Sequence, residues 1–296
     1  MEVLITGGRG QLARAFAEML ERKGVEYRAF SRDQLDISDF ASVLECVRSY
    51  KPRVIINCAA YNLVDRAEDD FPSAFAVNTL GVHNLAVTAR EEGIFLIHFS
   101  TDYVFDGQKG DLYTEDDLPW PVNKYGLSKW QGELAIKQVA PLHLVFRVSW
   151  LFGQGKQNFL AKLLAWADKN EVLRIAYDEF SVPTYVETVS QVAWKAYEKG
   201  LTGFYHLVSR GYCSRFEWAR YFLALKGIKR KVLPVQAASF NLPAKRPFFS
   251  VLNPGKLEKD LDIEMPSWQD EVARFVNTRD SRLRHRMTKN GTGERR

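Results

Sequence analysis

Tyr125 and Lys129 stand four residues apart at the start of a helical run, Tyr125-Gly126-Leu127-Ser128-Lys129. That spacing puts both side chains on one helix face. A phenol, with a reference pKa of about 10, is a poor acid–base catalyst at neutral pH. A neighbouring ammonium favours the phenolate and moves that pKa towards useful range. Upstream, Ile94–Ser100 reads as a buried strand running into Thr101-Asp102-Tyr103-Val104-Phe105. Ser100 and Thr101 therefore fall at the C-terminal end of a central strand. A hydroxyl there can hydrogen-bond a substrate carbonyl as negative charge develops on it. Tyr, Lys and Ser/Thr are the parts needed for hydride transfer to a ketone with protonation of its oxygen. Taken alone, the Tyr/Lys pair also fits a partly buried aromatic beside a surface lysine. The strand-end hydroxyl is what favours chemistry.

A second cluster points to a nucleotide. Gly7-Gly8-Arg9-Gly10 follows the apolar run Val3–Thr6 and precedes a helical pattern. Glycines between a strand and a helix let backbone approach a pyrophosphate at the positive helix N-terminus. An ordinary tight turn has the same spacing, but the place after the first strand favours the dinucleotide reading. The end of the next strand discriminates NAD from NADP, since a carboxylate there binds a ribose 2′-OH and Arg accommodates a 2′-phosphate. It reads Phe30-Ser31-Arg32, with no carboxylate before Asp33, and Arg9 adds a second cation. NADPH preference is expected, with NADH as the alternative.

These residues need a scaffold. Val3–Thr6, Tyr27–Phe30, Val54–Asn57, Ile94–Ser100 and Leu142–Val148 read as strands, with a helix from Leu12 to Gly24 and another from Ala74 to Glu92. Strands alternating with helices imply βαβ units, an α/β fold and a parallel sheet. Beyond residue 150 the pattern is less regular. Asn158–Lys169, Val186–Glu198 and Arg215–Leu225 read as helices, and Leu173–Ala176 and Phe204–Val208 as strands, followed by a Pro-punctuated loop section. This is the composition of a smaller domain over the sheet's C-terminal edge, where ligands bind in open α/β sheets.

Composition excludes several classes. The net charge of +5 over 296 residues lies in residues 278–296, which hold seven Lys/Arg against two Asp/Glu. The rest is neutral, so a basic nucleic-acid-binding face is not expected. The tail reads as disordered; salt-dependent nucleic-acid binding through it is a lesser alternative. No apolar run approaches the roughly 18 residues of a membrane helix, and Met1–Thr6 lacks the pattern of a secretory signal. Cys46, Cys58 and Cys213 have neither disulfide nor metal arithmetic. A cytoplasmic protein without a metal is expected. His83, His98, His143 and His206 read as packed or surface residues.

Gly7-Gly8-Arg9-Gly10-Gln11-Leu12, Ser100-Thr101-Asp102-Tyr103-Val104-Phe105 and Tyr125-x-x-x-Lys129 resemble the extended short-chain dehydrogenase/reductase family. Asn57-Cys58-Ala59-Ala60-Tyr61, Arg147-x-Ser149-Trp150, Asn158-Phe159, Pro183-Thr184 and Arg246-Pro247-x-x-Ser250-x-Leu252 are similar to one nucleotide-sugar branch of it. The resemblance spans residues 1 to about 275. It implies a Rossmann-type, doubly wound parallel sheet in residues 1–150, with segments returning from the later half. Residues 151–277 would form a smaller α+β substrate domain. The implied activity is NADPH-dependent reduction of the C4 ketone of dTDP-4-dehydro-L-rhamnose by a monomer or homodimer. Reduction or epimerisation of another nucleotide sugar, and a non-catalytic cofactor-binding regulatory subunit, are the alternatives.

By the same resemblance Tyr125 is the proton donor, Lys129 its pKa-lowering partner and ribose anchor, and Thr101 the carbonyl orienter. Gly10, Gln11 and Leu12, with Gly7, hold the pyrophosphate, while Ala59, Ala60 and Tyr61 lie beside the riboses. Asp36 and Ile37 form the adenine-side pair next to Ser31 and Arg32. Thr101, Asp102 and Trp150 contact the sugar nucleotide, and Asn78 braces the sheet. Ala15 stands where part of the family has a Glu that contributes to a magnesium-linked dimer. The Phe248-Phe249 pair departs from the smaller, more polar pair of the substrate-side loop.

Overall fold

Four consecutive apolar or β-branched residues, each buried, make β1 (Val3–Thr6), and Val54–Asn57 beside it is likewise buried throughout, whereas the edge strand Tyr27–Phe30 buries only Phe30. The computed structural model describes residues 2–278. The basic tail falls outside the described residues except for Thr278. After β1 come α1 (Gln11–Lys23), β2 (Tyr27–Phe30), α2 (Phe40–Tyr50) and β3 (Val54–Asn57). Then follow α3 (Arg66–Asp69), α4 (Phe71–Phe75), a π-helical turn (Ala76–Leu80), α5 (Gly81–Glu91) and β4 (Phe95–Thr101). Next are α6 (Lys124–Val139) and β5 (His143–Val148).

These strands and β10 (Gly203–His206) form one six-stranded sheet in the order β10-β5-β4-β3-β1-β2, with every pairing parallel. β4 is central, so Thr101 ends a strand flanked on both sides. One apolar cluster packs α1 and α8 (Val186–Glu198) on one face, and a second packs α2, α5 and α6 on the other. Parallel strands buried on both faces are the doubly wound arrangement expected from their near-continuous hydrophobicity.

The later half supplies β6 (Leu151–Phe152), α7 (Phe159–Lys169), β7 (Val172–Ala176), β8 (Phe180–Ser181) and β9 (Thr184–Tyr185) before α8. After β10 come β11 (Cys213–Ser214), α9 (Arg215–Leu225), β12 (Lys231–Val235) and α10 (Gly255–Leu261), and a last helix covers 268–278. The strands other than β10 make three two-stranded pairs, β11-β8, β12-β7 and β6-β9. β10 returns to the main sheet, so residues 203–206 belong to that layer although they follow residue 150.

The stretch expected as one helix from Ala74 to Glu92 is broken. It begins at Phe71 with Pro72 in its first turn and widens into the π-helical turn before α5. That turn carries Asn78, whose amide bonds both the N–H and the C=O of Tyr61 at 2.9 Å and the Ser128 hydroxyl at 3.0 Å. Asn78 thus ties the loop after β3 to α6 rather than bracing the sheet itself. Gly132 permits the close approach, since a Cβ there would lie 2.2 Å from the Asn78 carbonyl oxygen.

Candidate active site

The glycine loop is shaped by two contacts. Gly7 has φ +66°, and a Cβ there would come within 2.7 Å of Cys58 O and Ala59 N. Only glycine brings the β1 and β3 loops this close. Gly10 precedes α1 without a side-chain cap, leaving the first turn's N–H groups for an anion. Gln11 Nε2 donates to Leu151 O at 3.2 Å, and Asn158 Nδ2 donates to Gln11 Oε1 at 3.1 Å. The segment after β5 is thereby stitched to the helix that carries Leu12. The Tyr61 and Ser100 hydroxyls are buried without a hydrogen-bond partner among the described residues. The uncapped first turn of α1 and these two hydroxyls are polar groups left for a ligand.

At the end of β2, Arg9 pairs with Asp33 at 2.9 Å and Arg32 with Asp36 at 3.2 Å. Both arginine side chains are over three-quarters exposed, 78% and 77%. The expectation of two free cations changes accordingly. Each has a carboxylate partner that a 2′-phosphate would have to share or displace. Burial raises the Asp36 pKa, but the Ser38 hydroxyl and N–H and then Arg32 outweigh it, leaving the carboxyl below its ordinary value. Ser31 is buried and its hydroxyl donates to Gln34 Oε1. Ile37 is buried against Gly81, so what it can offer a ligand is backbone. Asn84 Nδ2 holds that backbone through Ile37 O at 3.0 Å.

Asn123 caps α6 by accepting from Gly126 N at 2.7 Å, and this places Tyr125 in the first turn. Tyr125 is half-buried, lies edge-on to Tyr103 at 6.0 Å and is near enough to the Thr101 hydroxyl for that group to act on its ionisation. Thr101 Oγ1 also donates to Asp102 Oδ1 at 3.1 Å. Thr101 and Tyr125 are thus brought together as the spacing implied.

Lys129 is fully buried and directed elsewhere. Its Nζ donates to Phe99 O at 2.6 Å and lies 3.3 Å from His98 Nε2. The expected lowering of the phenol pKa by the ammonium is therefore absent. Burial pushes the Tyr125 pKa up to about 12, opposed by the Thr101 hydroxyl and reinforced by Asp102. Burial likewise lowers Lys129 to about 8, against the opposing influence of Glu133 and Cys58.

The other wall is assembled over long distances in sequence. Asp102 Oδ2 accepts from Ser181 Oγ at 2.8 Å and from Ser250 Oγ at 2.6 Å. Its burial raises its pKa, while those hydroxyls, Thr101 and Arg215 act the other way. Arg246 holds Asp65 through both terminal nitrogens, at 2.8 and 2.7 Å, and this ion pair keeps the Asp65 carboxyl below its ordinary value. Trp150 has φ +39°, a conformation rare for an aromatic residue. Its ring stacks on Trp218 at 5.6 Å under the Arg215 guanidinium, 3.7 Å from the ring centroid. Among the described residues no cluster of three or more His, Cys, Asp or Glu is placed to hold a metal. No helix there is long and apolar enough to cross a membrane.

A family model described as the RmlD substrate binding domain matches residues 1–281. The chain belongs to the RmlD family. It is 35% identical over 287 residues to the dTDP-4-dehydrorhamnose reductase of Sinorhizobium fredii (strain NBRC 101917 / NGR234), covering 93% of this chain and 97% of that one. To the Escherichia coli (strain K12) protein of the same name it is 32% identical over 293 residues, covering 94% and 97%. The solved dTDP-4-dehydrorhamnose reductase of Bacillus anthracis str. Ames, in complex with NADP, aligns with a TM-score of 0.91 at 34% identity, covering 94% of this chain and 100% of that one. The UDP-glucose 4-epimerase of Thermus thermophilus shares the fold, with a TM-score of 0.80 at 22% identity, covering 94% of this chain and 98% of that one.

Within this RmlD-family cleft, sequence reasoning missed His98, Ser181 and Arg215. His98 was legible through strand alternation, because it shares a sheet face with Ser100 and both lie beside Lys129's helix. Ser181 and Arg215 carry no local signal that ties them to Asp102 and Trp150.

Proposed function

We propose that this RmlD-family chain reduces the C4 ketone of dTDP-4-dehydro-L-rhamnose to the alcohol of dTDP-L-rhamnose, with NADPH as the reductant. The observation that carries the reading is Tyr125 placed by the N-terminal turn of α6 beside Thr101 at the end of the central strand, together with a glycine loop shaped for a dinucleotide. Relatives at 32–35% identity over nearly their whole length bear the corresponding name, and a solved relative binds NADP. NADPH, when bound, supplies the hydride.

The chain's own residues do the rest. With its pKa raised, Tyr125 holds its proton at neutral pH, the state a proton donor to the ketone oxygen needs. The Thr101 hydroxyl orients both that phenol and the carbonyl. Gly7, Gly10, Gln11 and Leu12 receive the pyrophosphate, and Arg9 and Arg32 receive the 2′-phosphate in exchange for Asp33 and Asp36. Ala59, Ala60 and Tyr61 border the riboses, and Lys129 anchors the nicotinamide ribose. On the substrate side, Asp102 fixes the wall and Trp150, packed between Trp218 and Arg215, borders the nucleotide.

In this reading residues 1–150 with β10 serve the cofactor, and 151–277 mainly serve the sugar nucleotide. Three free cysteines suit a reducing compartment such as the cytoplasm, with the enzyme acting as a monomer or homodimer.

The test is NADPH oxidation by purified protein with dTDP-4-dehydro-L-rhamnose, run beside other 4-keto nucleotide sugars. The reading expects the rhamnose precursor to have the highest kcat/KM. A higher value with another sugar overturns the substrate, and no ketone-dependent oxidation with any of them overturns the reductase.

A further inference from the structure

Behind Lys129 lies a chain of buried polar groups that the proposed reaction does not itself use. His98, on β4, faces Lys129 Nζ with Nε2 at 3.3 Å and Asn57 Nδ2 with Nδ1 at 3.0 Å. Asn57, at the end of β3, accepts through Oδ1 from the Thr6 hydroxyl at 2.6 Å and from Ala59 N at 3.1 Å. All three side chains are buried.

The Ala59 N–H, shared between the Thr6 hydroxyl at 3.3 Å and the nearer Asn57 Oδ1, sets the rest of the network. A backbone amide can only donate, so Asn57 must turn its oxygen toward Ala59 and its NH2 toward His98. Nδ1 of His98 must then accept, which places the ring hydrogen on Nε2, aimed at Lys129. Burial holds His98 neutral, so the ring carries a single hydrogen and, with Nδ1 accepting, that hydrogen is on Nε2. A protonated lysine would present N–H to N–H. A neutral amine instead accepts from Nε2–H through its lone pair while donating to Phe99 O.

We infer that Asn57 and His98 form a tautomer-locked rest that favours the neutral Lys129 amine, so that the lysine takes up a proton more readily as it turns from His98 toward the cleft. His98 is thereby a positioning residue for Lys129. The inference rests on the cofactor-binding reading above for its consequence, since turning toward a bound dinucleotide favours uptake of a proton from solvent.

The groups that bear on this ionisation are few. Tyr125 and Glu133 stand one turn before and one turn after Lys129 on α6. Glu133 is held by Arg147 of β5 at 2.8 and 3.0 Å. Cys58 faces Lys129 from the loop after β3, and burial pushes its thiol up. From β4, His98 is the titratable group in contact with Nζ, beside the Phe99 carbonyl. The lysine's pKa of about 8 puts the exchange within easy reach of titration.

The tautomer is read directly from two-bond 1H–15N correlation spectra of imidazole-labelled protein. The free protein at pH 7 should show His98 with hydrogen on Nε2. Its ring signals should step with a midpoint near pH 8, and the step should vanish in Lys129→Met. A ring with hydrogen on Nδ1, or no step in the unaltered protein, overturns the inference.

Calorimetry of NADP+ binding at pH 8, in two buffers of different ionisation enthalpy, supplies the second readout. Uptake of about half a proton is expected for a group titrating there. In His98→Gln, whose amide can offer an oxygen to an ammonium, the uptake should fall. Equal uptake in the two proteins counts against the positioning role. If NADP+ fails to bind at all, the functional reading fails while the tautomer measurement still decides the inference.

Discussion

Lys129 and Asp102 stand at the two walls of the cleft around Tyr125, and among the described residues neither has a partner of opposite charge in hydrogen-bond contact. Burial pushes both towards neutrality, lowering the lysine and raising the aspartate. They differ in how they are held. The lysine rests on a backbone carbonyl and an imidazole of the strand beneath it. The aspartate gathers hydroxyls from Ser181 and Ser250, 79 and 148 residues away. The setting of Lys129 is therefore complete within the main sheet and α6, whereas that of Asp102 exists only once distant segments have met. Altering Lys129 should change ionisation and leave the walls standing. Altering Asp102 should loosen the wall itself.

The largest effect belongs to the residue between them. Tyr125→Phe should lose roughly 100- to 10,000-fold in kcat, as expected for removing a general acid, with NADPH affinity nearly unchanged. A parallel loss of NADPH affinity would mean that Tyr125 supports the cofactor wall instead.

Asp102→Ala leaves the Thr101, Ser181 and Ser250 hydroxyls without their shared acceptor. A loss of about 3 kcal/mol in chemical denaturation is expected, at roughly 1–3 kcal/mol per unsatisfied group with partial relaxation. Asp102→Asn, which retains an acceptor, should lose less. Equal losses would remove the distinction between the two walls.

Lys129 should appear in the pH dependence of stability. Its folded pKa of about 8 lies below its reference value of 10.5, so between these the unfolded chain binds the extra proton. Stability from this group therefore rises as pH increases from about 8 to 10.5, by up to about 3 kcal/mol. Lys129→Met should lack that rise relative to the unaltered protein, and an identical pH dependence of the two would contradict the buried, depressed lysine.

The smallest effect is at the exposed arginines. Arg9 and Arg32 already share their charge with Asp33 and Asp36, so replacing both by Ala should lower the NADPH/NADH preference by about tenfold, the worth of one charge-assisted contact. An unchanged ratio would remove them from 2′-phosphate recognition.

The contrast between the walls also explains what could be read from the sequence. The cofactor wall is legible because its determinants are local. The apolar run Val3–Thr6, the glycines after it and the i, i+4 pair Tyr125/Lys129 all specify geometry within a few residues, and the helices Val186–Glu198 and Arg215–Leu225 have the expected bounds. Helix α2 is not among the elements expected from the sequence although Asp39 caps it, and the π-helical turn lies inside a stretch expected as plain helix. Residue types on one helix face show that Lys129 can approach Tyr125. They do not show that a carbonyl and an imidazole on β4 turn it away. The serines around Asp102 are polar residues in short strands and loops, and only the folded chain reveals their common acceptor.

The central claim concerns where hydrogen goes, and isotopic transfer tests it most directly. With NADPH carrying deuterium at the reactive position and dTDP-4-dehydro-L-rhamnose as the acceptor, the product should carry one deuterium, bound to C4 of the sugar, for each NADPH consumed. A product without deuterium at C4, or deuterium entering other ring positions from heavy water without NADPH consumption, would contradict the ketone reduction proposed for this chain.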